Sequence, residues 1–127
     1  MHRNKVVLAT HNAGKLRELR ALLSKTDLEC KSQAEYRVPE IPETGQTFFE
    51  NALIKARNAC HYTGLPSIAD DSGLVVDCLQ GAPGVHSARF AGEKATASDN
   101  LKKLLRAVRE FSAEERTARF QCAMVYL

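Results

Sequence analysis

The sequence predicts an α/β fold in which a mixed β-sheet is flanked by helices. Three observations predict it. Short apolar runs of strand length alternate with stretches whose apolar residues recur at helical spacing. Capping and breaking residues punctuate the joins between them. The 127 residues, 44% hydrophobic and 26% charged, have ordinary globular composition and the size of one domain. Residues 1–127 therefore read as a single domain, with no internal repeat and no low-complexity segment.

Lys5-Val6-Val7-Leu8-Ala9-Thr10 is a short apolar run of the kind that forms a buried strand. His11-Asn12-Ala13-Gly14 breaks it with turn formers, and a helix pattern follows. Leu16, Leu19, Leu22 and Leu23 share one face of that helix, with Arg17, Glu18 and Arg20 off it. Leu28 to Ser32 suits a second, shorter strand. Residues 33–46 read as an extended loop, because Pro39 and Pro42 lack amide donors and Gly45 closes the segment.

Thr47-x-x-Glu50 is a capping box that opens a strong helix. Phe49, Ala52, Leu53, Ala56 and Cys60 form its apolar stripe, and Gly64 with Pro66 ends it. Asn51, Lys55 and Asn58 fall together on another face. Ser67-Ile68-Ala69 and Leu74-Val75-Val76 read as strands flanking a turn at Asp70-Asp71-Ser72-Gly73. Gly81-Ala82-Pro83-Gly84 is a loop. Thr96-x-x-Asp99 caps a helix bearing Leu101, Leu104, Leu105 and Val108. Arg116 to Leu127 is a last strand, with Phe120, Cys122, Met124 and Tyr126 on one face. The chain stops within this most strand-like segment, whereas natural termini are more often polar and frayed. The expectation is a piece of a longer protein.

Composition excludes several classes. No apolar run approaches the ~20 residues of a membrane helix, and the opening residues do not form a signal peptide, which points to a cytoplasmic protein. The four cysteines and four histidines are scattered without CxxC, HxH or HxxxH spacing, so reduced thiols are expected rather than a zinc site. Eighteen Lys and Arg against fifteen Asp and Glu is too mild a balance to argue for nucleic acid, and no aromatic-rich basic stripe is present. The charges are unevenly placed, however. Residues 1–31 carry seven basic and three acidic side chains, whereas residues 70–100 carry two and five. Basic and acidic segments of this kind suit a polyanion accompanied by a metal ion, and equally a solvated surface.

Three constellations carry possible chemistry. Thr10-His11-Asn12-Ala13-Gly14-Lys15 stands at a strand-to-helix junction, where backbone amides and the helix dipole favour phosphate. It is not a Walker A loop, since Leu16 occupies the place of the magnesium-binding hydroxyl; an ordinary turn with a surface lysine has the same spelling. Asp70-Asp71-Ser72-Gly73 follows an apolar strand, where adjacent carboxylates can hold Mg²⁺ or polarise water, although the same residues make ordinary Asx turns. Successive side chains of an extended backbone point opposite ways, so one of the two carboxylates is expected to face a shared site. Glu43-Thr44-Gly45, together with Asn51 and Lys55, can add a carboxylate ligand and a cation. A solvated helix face would look alike.

In combination and in this order, these segments resemble the Ham1/inosine triphosphatase family. The resemblance lies in Val7 to Lys15, Glu43 to Ala52, Ile54-Lys55-Ala56-Arg57 and Ala69 to Leu74, and continues through Gly81 to Val85 and Ser87 to Gly92. It covers nearly the whole chain. It implies the elongated mixed sheet of that family, with helices in two lobes around a cleft, here as the N-terminal two-thirds of the family domain and incomplete at the C-terminus. It implies a cytosolic, homodimeric, Mg²⁺-dependent nucleoside triphosphate pyrophosphatase that converts ITP, dITP and XTP to the monophosphate and pyrophosphate.

Carried over residue by residue, the resemblance implies that Thr10, His11, Asn12, Ala13, Gly14 and Lys15 cradle the triphosphate. Asp71 would be general base and metal ligand, Glu43 a second metal ligand, and Ser72 and Lys55 substrate contacts. His11 stands where the family usually has a small residue such as Gly or Ser. The family's Phe-Gly-Tyr-Asp-type and Ser-His-Arg segments, which contact the base and phosphates, do not occur in this sequence. The alternative reading is a nucleotide-binding or dimerising fragment without turnover. Neither reading involves nucleic acid or a membrane.

Overall fold

The computed structural model describes residues 4–127. Four strands, β1 (Asn4–Leu8), β2 (Leu28–Ser32), β3 (Ser67–Val76) and β4 (Ala118–Tyr126), alternate with three helices, α1 (Ala13–Leu23), α2 (Phe48–Thr63) and α3 (Ala97–Ala107). The strand order is β2-β1-β3-β4. β1 runs parallel to β2, with Asn4 opposite Leu28 and Leu8 opposite Ser32. It is also parallel to β3, with Val7 opposite Ser67 and Leu8 opposite Ile68. Ser67 and Leu127 exchange two backbone hydrogen bonds of 2.9 Å, the pattern of an antiparallel pair. The sheet is therefore mixed, as the sequence predicts. No helix among the described residues is long and apolar enough to cross a membrane.

The chain divides into two compact units. One holds the chain up to Asp70 together with Ala123–Leu127, and the other holds Asp71–Cys122. The first unit is built on β1, whose alternating side chains feed two cores. Val7 and Ala9 pack with Ala52, Ala56 and Ala59 of α2, with Ala69 and with Val125. Val6 and Leu8 pack with Leu19 and Ile68, flanked by Leu16 and Leu23 of α1. A strand covered on both faces needs a continuous apolar run, which β1 has. The alanines let α2 lie close to the sheet. The fully buried Ser67 hydroxyl completes that contact by donating to the Ala56 carbonyl at 2.8 Å.

Several expectations change at this level. Asp70-Asp71-Ser72-Gly73 does not turn, since Ser67–Val76 is one ten-residue strand. Pairing with neighbouring strands at the sheet centre outweighs the local preference of Asp, Ser and Gly for turns. Residues 33–46 are not wholly extended, because Gln33–Tyr36 forms a 3-10 turn, held where Glu35 accepts the Ser32 N–H at 2.8 Å. On α1, Leu22 is exposed, and on α2, Phe49 is exposed while Asn51 is buried. The α2 stripe is thus centred on its alanines. On β4, the Met124 and Tyr126 side chains are exposed and the intervening Val125 enters the core.

In the second unit, α3 starts with Thr96, which accepts the Asp99 N–H at 3.1 Å while Asp99 accepts the Thr96 N–H at 2.9 Å. The sequence predicts a cap here, and the structure makes it a reciprocal box. Leu101 and Leu105 of the predicted apolar face are nevertheless exposed, and Val108 is buried. Asn100 ties the helix to the preceding segment, donating to the Ala88 carbonyl at 3.0 Å and accepting the Ala91 N–H at 2.8 Å. The predicted loop at Gly81–Gly84 returns to β3, where the Val76 N–H reaches the Ala82 carbonyl at 3.1 Å.

Candidate functional site

The junction between β1 and α1 is set by two polar side chains. The Thr10 hydroxyl accepts the Asn12 N–H at 3.1 Å, which bends the chain out of the strand. Asn12 then caps α1, its Oδ1 accepting the Lys15 N–H at 3.1 Å. The amides of Ala13 and Gly14 precede that bond and have no acceptor within the helix, as in any first helical turn. A Cβ at position 14 would meet Asn12 Oδ1 at 3.2 Å, a tight approach that glycine avoids. Thr10 is buried, whereas His11, Asn12 and Ala13 are exposed. Lys15 projects from this turn to Asp70, with Nζ 2.9 Å from Oδ2.

A second cluster lies in the same unit. Thr47 caps α2 by accepting the Glu50 N–H at 3.0 Å. The Glu50 carboxylate accepts from Gln46 N at 2.8 Å, one residue before the amide that a full capping box would use. The buried Asn51 accepts the Gly45 N–H at 2.7 Å. These contacts fold the loop onto the helix, and Glu43 Oε1 meets Lys55 Nζ at 2.9 Å. The ammonium and carboxylate are both largely shielded, with side chains 18% and 29% exposed, so the pair is less screened than one on an open surface.

The remaining predicted residues, Asp71 and Ser72, belong to the second unit. Asp71 is buried and Ser72 half-buried. Their segment of β3 is steadied downstream by Ser87, whose hydroxyl accepts the Leu74 N–H at 2.9 Å and donates to the Gly84 carbonyl at 2.6 Å.

The structure thus pairs two of the predicted residues, Glu43 and Lys55, and gives Lys15 a partner, Asp70, which is not among the predicted site residues. Sequence reasoning groups Asn51 with Glu43 and Lys55 without giving it the role of a support, and gives Ser87 none. For Asn51 a signal existed: it lies one helical turn before Lys55 and six residues after Gly45. Each lysine ammonium faces a carboxylate at 2.9 Å, an arrangement that holds a cation ready for a polyanion while keeping it neutralised beforehand. The carboxylates of Glu43, Asp70 and Asp71 offer oxygen donors, and Lys15 and Lys55 offer ammonium groups. Among the described residues no three His, Cys, Asp or Glu side chains group into a metal site by themselves. Carboxylate oxygens are the donors Mg²⁺ takes, one or two at a time, with water and phosphate completing its shell.

Comparison with known proteins extends these observations. The model of the Ham1 family matches residues 6–127. A dITP/XTP pyrophosphatase of Vibrio parahaemolyticus is 58% identical over 123 residues, which covers 97% of this chain and 62% of that protein. One from Escherichia coli is 57% identical with the same coverage. Among solved structures, a HAM1 protein from Coxiella burnetii superposes with a TM-score of 0.92 at 44% identity, covering 98% of this chain and 63% of its own. The Ham1 protein of Staphylococcus aureus gives 0.87 at 34% identity. The chain spans a little under two-thirds of the length of the curated relatives it matches.

Proposed function

The chain belongs to the Ham1 family, and on that premise we propose that it hydrolyses deaminated purine nucleoside triphosphates (ITP, dITP and XTP) to the monophosphate and pyrophosphate. The observation that carries this reading is the 58% identity to a dITP/XTP pyrophosphatase over 123 residues, which takes in both lysine clusters and the Asp71-Ser72 segment.

In this reading the Ala13 and Gly14 amides, at the positive end of α1, donate hydrogen bonds to phosphate oxygens. Thr10, His11 and Asn12 shape the loop that presents them. Lys15 and Lys55 leave Asp70 and Glu43 to neutralise the triphosphate, and Ser72 contacts substrate. Water attacks phosphorus, the bond to the bridging oxygen breaks, and pyrophosphate leaves. The Asp71 carboxylate accepts the proton of that water. By the family resemblance Glu43 and Asp71 would be the residues that hold Mg²⁺, which would neutralise phosphate charge and lower the pKa of water. Positioning and electrostatics supply most of such catalysis. A cytoplasmic homodimer, as the family resemblance implies, completes the reading, and sedimentation of the purified chain tests the dimer.

The direct test offers dITP, dATP and dGTP to the chain with Mg²⁺ and identifies the products. The reading expects pyrophosphate and monophosphate from dITP, and release from dATP and dGTP as well would place the base selection outside these 127 residues. Inorganic phosphate and a diphosphate would contradict it. Nucleotide binding without turnover would favour the alternative of a binding fragment.

A further inference from the structure

Asn51 is 0% exposed in the first turn of α2, one helical turn before the charged Lys55. A carboxamide withdrawn from water costs free energy unless its polar atoms are used. Its Oδ1 is used on the loop, accepting the Gly45 N–H at 2.7 Å. Gly45 is shaped to that oxygen: a Cβ there would lie 2.6 Å from Asn51 Oδ1 and 2.7 Å from Glu50 Cβ. The next amide, of Gln46, is held by Glu50 at 2.8 Å. Two successive loop amides are thus gripped by two successive helix side chains. Two residues upstream, Glu43 meets Lys55 at 2.9 Å. Asn51 and Lys55 are four residues apart and share a helix face, so one grips the loop backbone and the other its carboxylate.

We infer that Asn51 is a positioning residue for the carboxylate of Glu43. By holding Gly45 it sets where Glu43 stands against Lys55, and hence how the carboxylate is presented to the metal–triphosphate. The inference rests on the roles given above to Glu43 and Lys55. Supports one step removed from a metal ligand commonly change metal affinity or activity by about 10–100-fold when lost.

The test compares Asn51→Ala, Asn51→Asp and Gly45→Ala with the unsubstituted protein. In Asn51→Ala the Gly45 amide should exchange with solvent at least about tenfold faster. In Asn51→Asp, which keeps an acceptor oxygen in place, it should stay protected. The Lys55 ammonium protons, followed by ¹⁵N NMR, should exchange faster in Asn51→Ala. The Mg²⁺ concentration that half-saturates ITP binding should rise about 10–100-fold, while ITP binding without metal changes less than about threefold. Gly45→Ala, which displaces the loop from its other side, should reproduce the Mg²⁺ shift, and it decides the matter alone if Asn51→Ala does not fold. Faster Gly45 exchange with unchanged Lys55 exchange and unchanged Mg²⁺ half-saturation would overturn the inference and leave Asn51 as packing. Failure of the unsubstituted protein to bind ITP would sink the nucleotide reading instead; the two exchange measurements would still decide whether Asn51 sets Glu43 against Lys55.

Discussion

The ammonium of Lys15 stands 2.9 Å from Asp70 Oδ2, joining the first turn of α1 to β3. The two partners are unequally exposed, the Asp70 side chain at 10% and that of Lys15 at 30%. A charge stranded in the interior costs more than one that can turn to solvent. Lys15→Met, which takes the ammonium from the more buried partner, should therefore destabilise by about 3 kcal/mol, and Asp70→Asn by only about 1 kcal/mol. Urea midpoints of the two variants check the order. The reverse order would contradict the burial argument.

Lys15 and Lys55 are expected to act on the triphosphate as charges. Lys55→Gln should weaken ITP binding by about tenfold at low salt and reduce the salt dependence of what remains. Binding titrations at two ionic strengths check this. An unchanged salt dependence would remove Lys55 from phosphate contact.

Thr47 holds the first turn of α2 through the Glu50 N–H at 3.0 Å. Thr47→Ala should cost about 1 kcal/mol, and Thr47→Ser much less, because serine keeps the accepting oxygen. Equal losses for the two would show that the methyl group, not the cap, carries the effect.

What the sequence made legible follows the range of the forces involved. The strand β1, the caps at Thr47 and Thr96 and the stop at Gly64 depend on neighbours within a few residues, and they stand where local reading puts them. The cap at Asn12 is equally local, though in the sequence that residue reads only as a turn former. Sequence reasoning groups Glu43 with Lys55 without pairing them, and the structure brings the two side chains to 2.9 Å. Asp70 to Gly73 spell a turn locally, yet sheet pairing draws them into β3. Asn51 fits a solvated face by spacing, yet it is buried and accepts from the returning Gly45 loop, a contact that local spacing does not show. Phe49 and Leu22 fit helical spacing but lie beyond the reach of the sheet, where no neighbouring strand marks the edge in the sequence.

The α3 cap should respond to acid. The Thr96 backbone N–H first, and its hydroxyl second, hold the Asp99 carboxyl below its ordinary value; Ser112 does the same for Glu115. A carboxyl lowered on folding adds stability above its unfolded pKa, and that stability is lost as pH falls through the folded value. The first turn of α3 should therefore keep its amide protection at neutral pH and lose it below about pH 4. In Asp99→Asn the turn should already be less protected at neutral pH and should change little on acidification. An acid response identical to that of the unsubstituted protein would contradict the assignment.

The central claim is that Asp71 serves the chemical step rather than the grip on nucleotide. Pyrophosphate release from dITP, measured beside the dissociation constant for ITP in the unsubstituted chain and in Asp71→Asn, tests it most directly. The account expects turnover to fall by at least about 100-fold with ITP affinity within about threefold. Parallel loss of turnover and affinity, or turnover that survives the substitution, would contradict it.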